Sequence, residues 1–292
     1  MHAGNRSDRR PNRSTLTSAR TQHEGDEGLR PPTLRPPLKW AGGKRWLVPH
    51  LRSLWQRFSR RRLVEPFCGG LAVALGLDPR RALLNDANPH LINFYRHLQR
   101  GLVISITMKN ESELYYRHRD EFNRLVATRR GRSSRKAAQL FYFLNRTAFN
   151  GLCRFNRSGQ FNVPFGLYWD IPYIRDFTHY AEPLSRWTFS DGSFDSIDVS
   201  PKDFIYADPP YDVQFRQYAS DGFDWEKQEL LAKWLARHPG PVVASNQATN
   251  RIIRLYRNLG FDIDFLDGPR KISRTGDRTP AREILARRNL DR

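Results

Sequence analysis

"RLVEPFCGGLAVALGLDPRRALLNDANPHLINFYRHLQRG", residues 62–101, carries the start of a fold. A short apolar run ends near Glu65 and passes into the glycines Gly69 and Gly70, and a second run, "ALLND", ends at Asp86. Asn88 then caps a helix that has Pro89 at its first position, Leu91, Ile92, Tyr95 and Leu98 on one face, and Gly101 as its stop. Short strand-like runs alternating with helical periodicity are the signature of a parallel α/β sheet.

The pattern resumes later with "FIYAD", "PVVASN" and "FDIDF", and with helices around Leu230 to Leu235 and Ile252 to Leu259. Five strands are therefore predicted, forming a doubly wound, Rossmann-like sheet built from residues 37–100 and 181–292. Between them, residues 101–180 have helical stretches ("YYRHRDEFNRLV", "RKAAQLFYFLNR") and then a Gly-, Asn-, Arg- and aromatic-rich segment without strand period. This predicts an inserted helical subdomain. Residues 1–36 are polar and almost free of large apolar side chains, so they cannot offset the entropy of ordering and are expected to be a disordered tail.

Charge narrows the partner. The net charge is +19, and the tail contributes seven arginines against four acids, so +16 belongs to the remainder. Residues 95–180 alone carry fifteen basic and six acidic side chains. A field of that size collects polyanions. The bland alternative is a proteome that uses arginine everywhere. Cys68 and Cys153 build no disulfide framework and have no ligand spacing, so no metal site is expected. No apolar run reaches the roughly 18 to 20 residues that span a bilayer, and the amino terminus lacks the apolar core of a signal peptide. A cytosolic protein is expected.

Ligands of an open parallel sheet sit beyond the carboxyl ends of its strands, and three of these strands end in acids: Glu65, Asp86 and Asp208. Together they suit a ligand with hydroxyl or ammonium donors. Asp86 can accept from ribose hydroxyls, or it can merely cap the following helix. "KWAGGK" (Lys39 to Lys44) fails as a phosphate loop, because Leu38 and Arg45 stand where a glycine and a Ser or Thr are needed. Phe67 in "FCGG" serves equally well as core. In "DPPY" (Asp208, Pro209, Pro210, Tyr211) the prolines hold the backbone extended, so the Asp208 carboxylate and a carbonyl of the Pro-Pro pair can converge on one spot. Two acceptors there suit a planar amino group with two hydrogens, and Tyr211 offers a flat face for a ring.

These motifs, with "KWAGGK", "VEPFCGG", "LLNDANPHLINFY", "YYRHRDEFN" and "LNRTAFNGLCRFNRSGQFNVPFG" in the same order, resemble the Dam-type amino-methyltransferases acting on adenine in DNA. The likeness is dense from about residue 38 to 212 and looser beyond, where "ASN" and "RKISRTGDRTPAREIL" carry it. The resemblance implies a Rossmann-like methyltransferase sheet with a target-recognition insert, S-adenosyl-L-methionine as methyl donor, double-stranded DNA as partner and a monomer. It implies donor binding by Trp40, Lys44, Glu65, Phe67, Gly69 and Asp86, with Asp208 bordering donor and target. Many relatives carry glycine where this chain has Leu71. The resemblance also implies DNA contacts from Lys39, Arg146, Phe149, Asn150, Leu152, Arg154, Asn156 and Pro164, with Arg154 the guanine reader or else a phosphate contact. The expected reaction is N6-methylation of a flipped-out adenine, with GATC as the site. The alternatives are cytosine amino-methylation, an RNA substrate, or a non-catalytic DNA-binding module on the same fold.

Overall fold

In the computed structural model, which describes residues 34–212, 223–269 and 281–291, the opening stretch folds as its residues dictate. Strand β1 (Leu63–Glu65) is fully buried, helix α2 (Ala72–Leu77) follows, and strand β2 (Ala82–Asp86) pairs parallel to β1. Helix α3 (Pro89–Leu98) starts at Asn88, whose Oδ1 accepts from the His90 and Leu91 amides at 3.0 and 3.3 Å. Ahead of them lies helix α1 (Val48–Trp55). Most of the expected tail falls outside the described residues. Its last part is packed: Leu34 lies against the core, and the Arg35 carbonyl accepts from Tyr180 Oη at 2.6 Å.

Residues 101–180 form helices α4 (Ser112–Val126), α5 (Arg129–Arg132) and α6 (Arg135–Thr147), and helix α7 (Thr178–Ser185) closes the segment. α6 buries most of its length, and Tyr142 on it stacks on Phe94 of α3 with centroids 5.5 Å apart. The insert thus shares a core with the sheet. His90 holds a second junction, stacked on Phe155 at 4.8 Å and edge-on to Phe122. Burial, with help from the Arg132 charge, pushes His90 down to about 4 from the ordinary 6.5. The unfolded chain binds this proton below 6.5 and the folded chain does not until about 4, so stability present above pH 6.5 is lost as pH falls through that window. The loss from this one group is roughly 3 kcal/mol at 1.36 kcal/mol per pH unit. His90→Phe, which keeps a ring but cannot titrate, is expected to flatten the fall in melting temperature between pH 7 and 4.5. An unchanged slope would assign the acid sensitivity to His97 and His118, which burial also lowers.

The rest of the chain supplies β3 (Trp187–Asp191), β4 (Phe204–Ala207), α8 (Trp225–Arg237), β5 (Val242–Gln247), α9 (Asn250–Asn258), β6 (Asp262–Gly268) and β7 (Ala281–Arg288). Strand order is β3-β2-β1-β4-β5-β7-β6, parallel from β3 to β5, with β7 antiparallel to both its neighbours. The sheet has seven strands rather than the five expected. β3 is an edge strand that buries alternate residues, so it shows no apolar run, and among its described side chains β7 buries only Ile284, Leu285 and Ala286, between arginines. "FDIDF" lies on β6, the edge strand, which pairs antiparallel to β7.

Two-residue periodicity divides the sheet between two cores. Leu63, Phe204, Tyr206 and Val243 face α1, α3 and the insert, while Val64, Ile205, Ala207, Val242 and Ala244 face α8 and α9. The chain runs outward in one direction from β1 and in the other from β4, so their carboxyl ends form the topological switch point where such sheets bind ligands. Glu65 and Asp208 stand there. Among the described residues no helix is long and apolar enough to cross a membrane.

Candidate active site

Asp208 follows the last residue of β4. Its Oδ1 lies 3.1 Å from Lys44 Nζ and accepts from Ser245 Oγ at 2.8 Å, and Ser245 Oγ is itself 3.0 Å from Tyr206 Oη. Burial raises the Asp208 carboxyl above its usual range, and the Lys44 charge opposes that rise. The Pro210 carbonyl accepts from Gln228 Nε2 at 2.7 Å, and Gln228 Oε1 is held by Asn246 Nδ2 at 3.0 Å. That carbonyl is therefore consumed by the scaffold. Of the two carbonyls in the Pro-Pro pair, Pro209's has no such partner among the described residues, which makes it the candidate to act with Asp208.

Tyr211 turns inward. Its hydroxyl donates to Glu283 Oε2 at 2.6 Å, and Lys44 Nζ sits 4.5 Å above its ring. Lys44 is 5 % exposed, donates to the Gly42 carbonyl at 3.2 Å and stands 3.9 Å from Glu283 Oε2. The ammonium expected on the donor side thus bridges two carboxylates and covers one face of the stacking ring. Glu283 is a residue that sequence reasoning missed. It lies in "AREIL", a stretch whose family likeness was visible without a role attached.

The acids of β1 and β2 are arranged differently. Glu65 is 2 % exposed, and its Oε1 has no hydrogen-bond partner. Burial, reinforced by the Asp208 charge, pushes its carboxyl well above the usual carboxylate range. Asp86 accepts from the Gly69 amide through Oδ2 at 3.1 Å and from the Asn88 amide through Oδ1 at 2.9 Å. The helix cap is Asn88, not Asp86. Gly69 (φ +44°) and Gly70 lie against the Trp40 side chain: an added Cβ would stand 2.9 Å from the indole nitrogen at Gly69 and 2.9 Å from the Trp40 Cβ at Gly70. Trp40 is thereby locked onto the glycine turn, and Phe67 stands in an aromatic cluster with Phe194 and Phe223. Leu71 adopts φ +61° with its side chain fully buried, a left-handed backbone that a β-carbon disfavours.

On the insert side, Lys39 and Asn145 clamp each other through two hydrogen bonds of 2.9 and 2.7 Å, fixing the "KWAGGK" loop to α6. Lys39 Nζ reaches the Arg146 carbonyl at 3.2 Å and lies 4.0 Å over the Tyr168 ring. Burial and the Arg146 charge lower its pKa. Arg146 donates to the Pro172 carbonyl. Phe149 and Leu152 are exposed at 48 % and 39 %, on either side of a turn in which Asn150 takes the left-handed φ of +52°. The Pro164 carbonyl accepts from the Phe149 amide at 2.9 Å. Arg154 is exposed, with Nε and Nη2 donating to Asn162 at 2.9 and 3.3 Å, which orients the guanidinium and leaves Nη1 without a partner among the described residues. Asn156 is spent on a turn: its Oδ1 accepts from the Ser158 and Gln160 amides at 3.0 and 2.9 Å. Leu167 and Trp169 stand almost fully exposed beside these residues, and no sequence argument had singled them out.

This mostly parallel, seven-stranded sheet with its site at the switch point is the Rossmann-like fold of a methyltransferase domain. The model of the D12 class N6 adenine-specific DNA methyltransferases matches residues 40–267. The chain is 36% identical over 264 residues to the Retron Ec67 DNA adenine methylase of Escherichia coli, spanning 85% of this chain and 90% of that protein. It is 35% identical over 271 residues to a DNA adenine methylase of Vibrio cholerae serotype O1, spanning 85% and 94%. With the DNA adenine methylase of Escherichia coli strain K12 it shares 34% identity over 233 residues, spanning 73% and 80%. The chain belongs to the D12 class N6 adenine-specific DNA methyltransferase family.

Proposed function

We propose that this protein transfers a methyl group from S-adenosyl-L-methionine to the N6 amino nitrogen of an adenine flipped out of duplex DNA, within GATC, and that it acts as a monomer. The observation that carries this reading is the placement of Asp208 at the β1/β4 switch point, directly ahead of the Pro209–Pro210 pair and Tyr211. The donor's fit rests on Glu65, a buried acid with an orphaned oxygen, and on Asp86 at the neighbouring strand end, which together complement ammonium and hydroxyl hydrogens. Trp40, Phe67 and Gly69 would wall that pocket, and the donor supplies an electrophilic methyl on sulfonium.

The protein's own task is to make a poor nucleophile competent. An aromatic amino nitrogen spreads its lone pair into the ring. Asp208 and the Pro209 carbonyl accept its two hydrogens, which favours a pyramidal nitrogen and aims the lone pair for in-line displacement. Tyr211 receives the extruded ring by stacking, against an unpairing cost of a few kcal/mol. Residues 101–180 act as the target-recognition domain, with Lys39, Arg146, Phe149, Asn150, Leu152 and Pro164 approaching the duplex and Asn156 shaping the turn behind Arg154.

Labelled donor and duplexes of defined sequence test this directly. Label confined to N6 of adenine in GATC is expected, whereas label on cytosine, label on RNA alone, or DNA binding without transfer would each replace the reading. Arg154→Ala is expected to lose about 1 to 3 kcal/mol at the intact site and to relax the preference at one base pair. A uniform loss on all sequences, with a salt slope smaller by about 0.9, would make Arg154 a phosphate contact instead.

A further inference from the structure

Glu283 lies on β7, opposite Gln247 of β5 and Leu266 of β6, on the antiparallel part of the sheet that the proposed mechanism leaves unused. Its carboxylate nevertheless reaches the catalytic turn, holding Tyr211 Oη at 2.6 Å and standing 3.9 Å from Lys44 Nζ. The space it occupies is made by a glycine: a Cβ on Gly268 would stand 2.7 Å from Glu283 Oε1 and 3.0 Å from the Trp46 ring. A carboxylate is accommodated here at the expense of a side chain on the facing strand.

The Lys44 ammonium raises a physical difficulty that Glu283 resolves. It lies 3.1 Å from Asp208 Oδ1 and 4.5 Å above the Tyr211 ring, so it competes with an incoming adenine for one carboxylate oxygen and one face of the stacking ring. A neutral amino group cannot displace a buried ammonium from its carboxylate if the ammonium is then left without a counter-charge. Glu283 is the second carboxylate within reach. We propose that Glu283 is a positioning residue, which takes Lys44 from Asp208 as the target base enters and so frees the Asp208 acceptor and the Tyr211 face; this rests on the reading of Asp208 given above. Glu283 also keeps the Tyr211 hydroxyl fixed throughout, so the ring stays oriented while the ammonium shifts.

The test uses a GATC duplex carrying 2-aminopurine at the target position, whose emission reports departure from the base stack, together with single-turnover methyl transfer on the natural duplex. Glu283→Gln keeps shape and removes charge. It is expected to melt near the unaltered protein and to bind donor equally in calorimetry, yet to lose roughly tenfold or more in base entry and transfer, the size of one charge-assisted hydrogen bond. Gly268→Ala, which keeps the charge but displaces the carboxylate, should move the same readouts in the same direction. In a Lys44→Met background the ammonium is gone, so adding Glu283→Gln should cost base entry nothing further, the non-additivity expected of two residues acting on one event. Base entry by Glu283→Gln equal to that of the unaltered protein overturns the proposal, and so does an equal loss in the Lys44→Met background. If the unaltered protein fails to methylate adenine, the earlier reading falls first, and the emission measurement still reports on Glu283.

Discussion

Asp208→Ala is expected to lower single-turnover methyl transfer by roughly 10³-fold, the scale seen when one preorganised group facing a reacting centre is removed. The loss belongs to the transition state. Without the carboxylate, the target amino group keeps only the Pro209 carbonyl as acceptor, and its lone pair stays conjugated with the ring. The fold should survive. Asp208 is a carboxylate whose burial works against its ionisation, Lys44 retains Glu283 at 3.9 Å, and Ser245 retains Tyr206 at 3.0 Å. Melting temperature and duplex affinity are therefore expected to change little. Asp208→Asn is the finer probe: its amide oxygen preserves one acceptor while its NH2 group faces Lys44 and the target hydrogens with the wrong polarity. An intermediate rate is expected. A folded Asp208→Ala protein turning over at a rate comparable to the unaltered chain would remove Asp208 from the chemistry.

What could be read from sequence follows a physical divide. Glu65, Asp86 and Asp208 were legible as a group, because strand ends in a parallel sheet share one edge and an acid ending an apolar run is a local signal. The Asn88 cap with Pro89 behind it was equally local. β3 and β7 were hidden because an edge strand needs only alternate burial and a charged antiparallel strand needs less, so neither shows a continuous apolar run. Glu283 was hidden with β7, since only the pairing of β7 between β5 and β6 carries that residue to the Asp208 turn. The Pro-Pro carbonyls could not be told apart until Gln228 claimed one of them. Asn156, expected to approach DNA, has its Oδ1 engaged by the Ser158 and Gln160 amides of its own turn, a local use that the sequence pattern did not display. Lys44 is the subtlest case: its burial follows from the two carboxylates around it, and only one of those was in view.

Asp86→Ala is expected to weaken donor binding by about 10²-fold, which combines a lost charge-assisted contact to the ligand with the loosening of the turn that presents Gly69. Two contributions are separable. The Asp86 carboxylate accepts from the Gly69 and Asn88 amides, so alanine leaves both donors without that partner and should lower stability by about 1 to 3 kcal/mol for each one that stays buried. Helix α3 keeps its own cap, because Asn88 Oδ1 continues to accept from His90 and Leu91. The damage should stay at the turn. Asp86→Asn restores one backbone acceptor without the charge, so it should recover much of the stability while donor affinity stays low if the carboxylate serves ribose hydroxyls. Calorimetry with donor, melting curves, and duplex binding in the absence of donor distinguish the cases. Duplex affinity is expected to hold, because the recognition residues are anchored through Asn145, Asn162 and Pro164 rather than through the Gly69 turn. Should donor affinity in Asp86→Asn return together with stability, the carboxylate is a brace for the glycine turn, and the contact with the donor must come from Glu65 and the backbone around it.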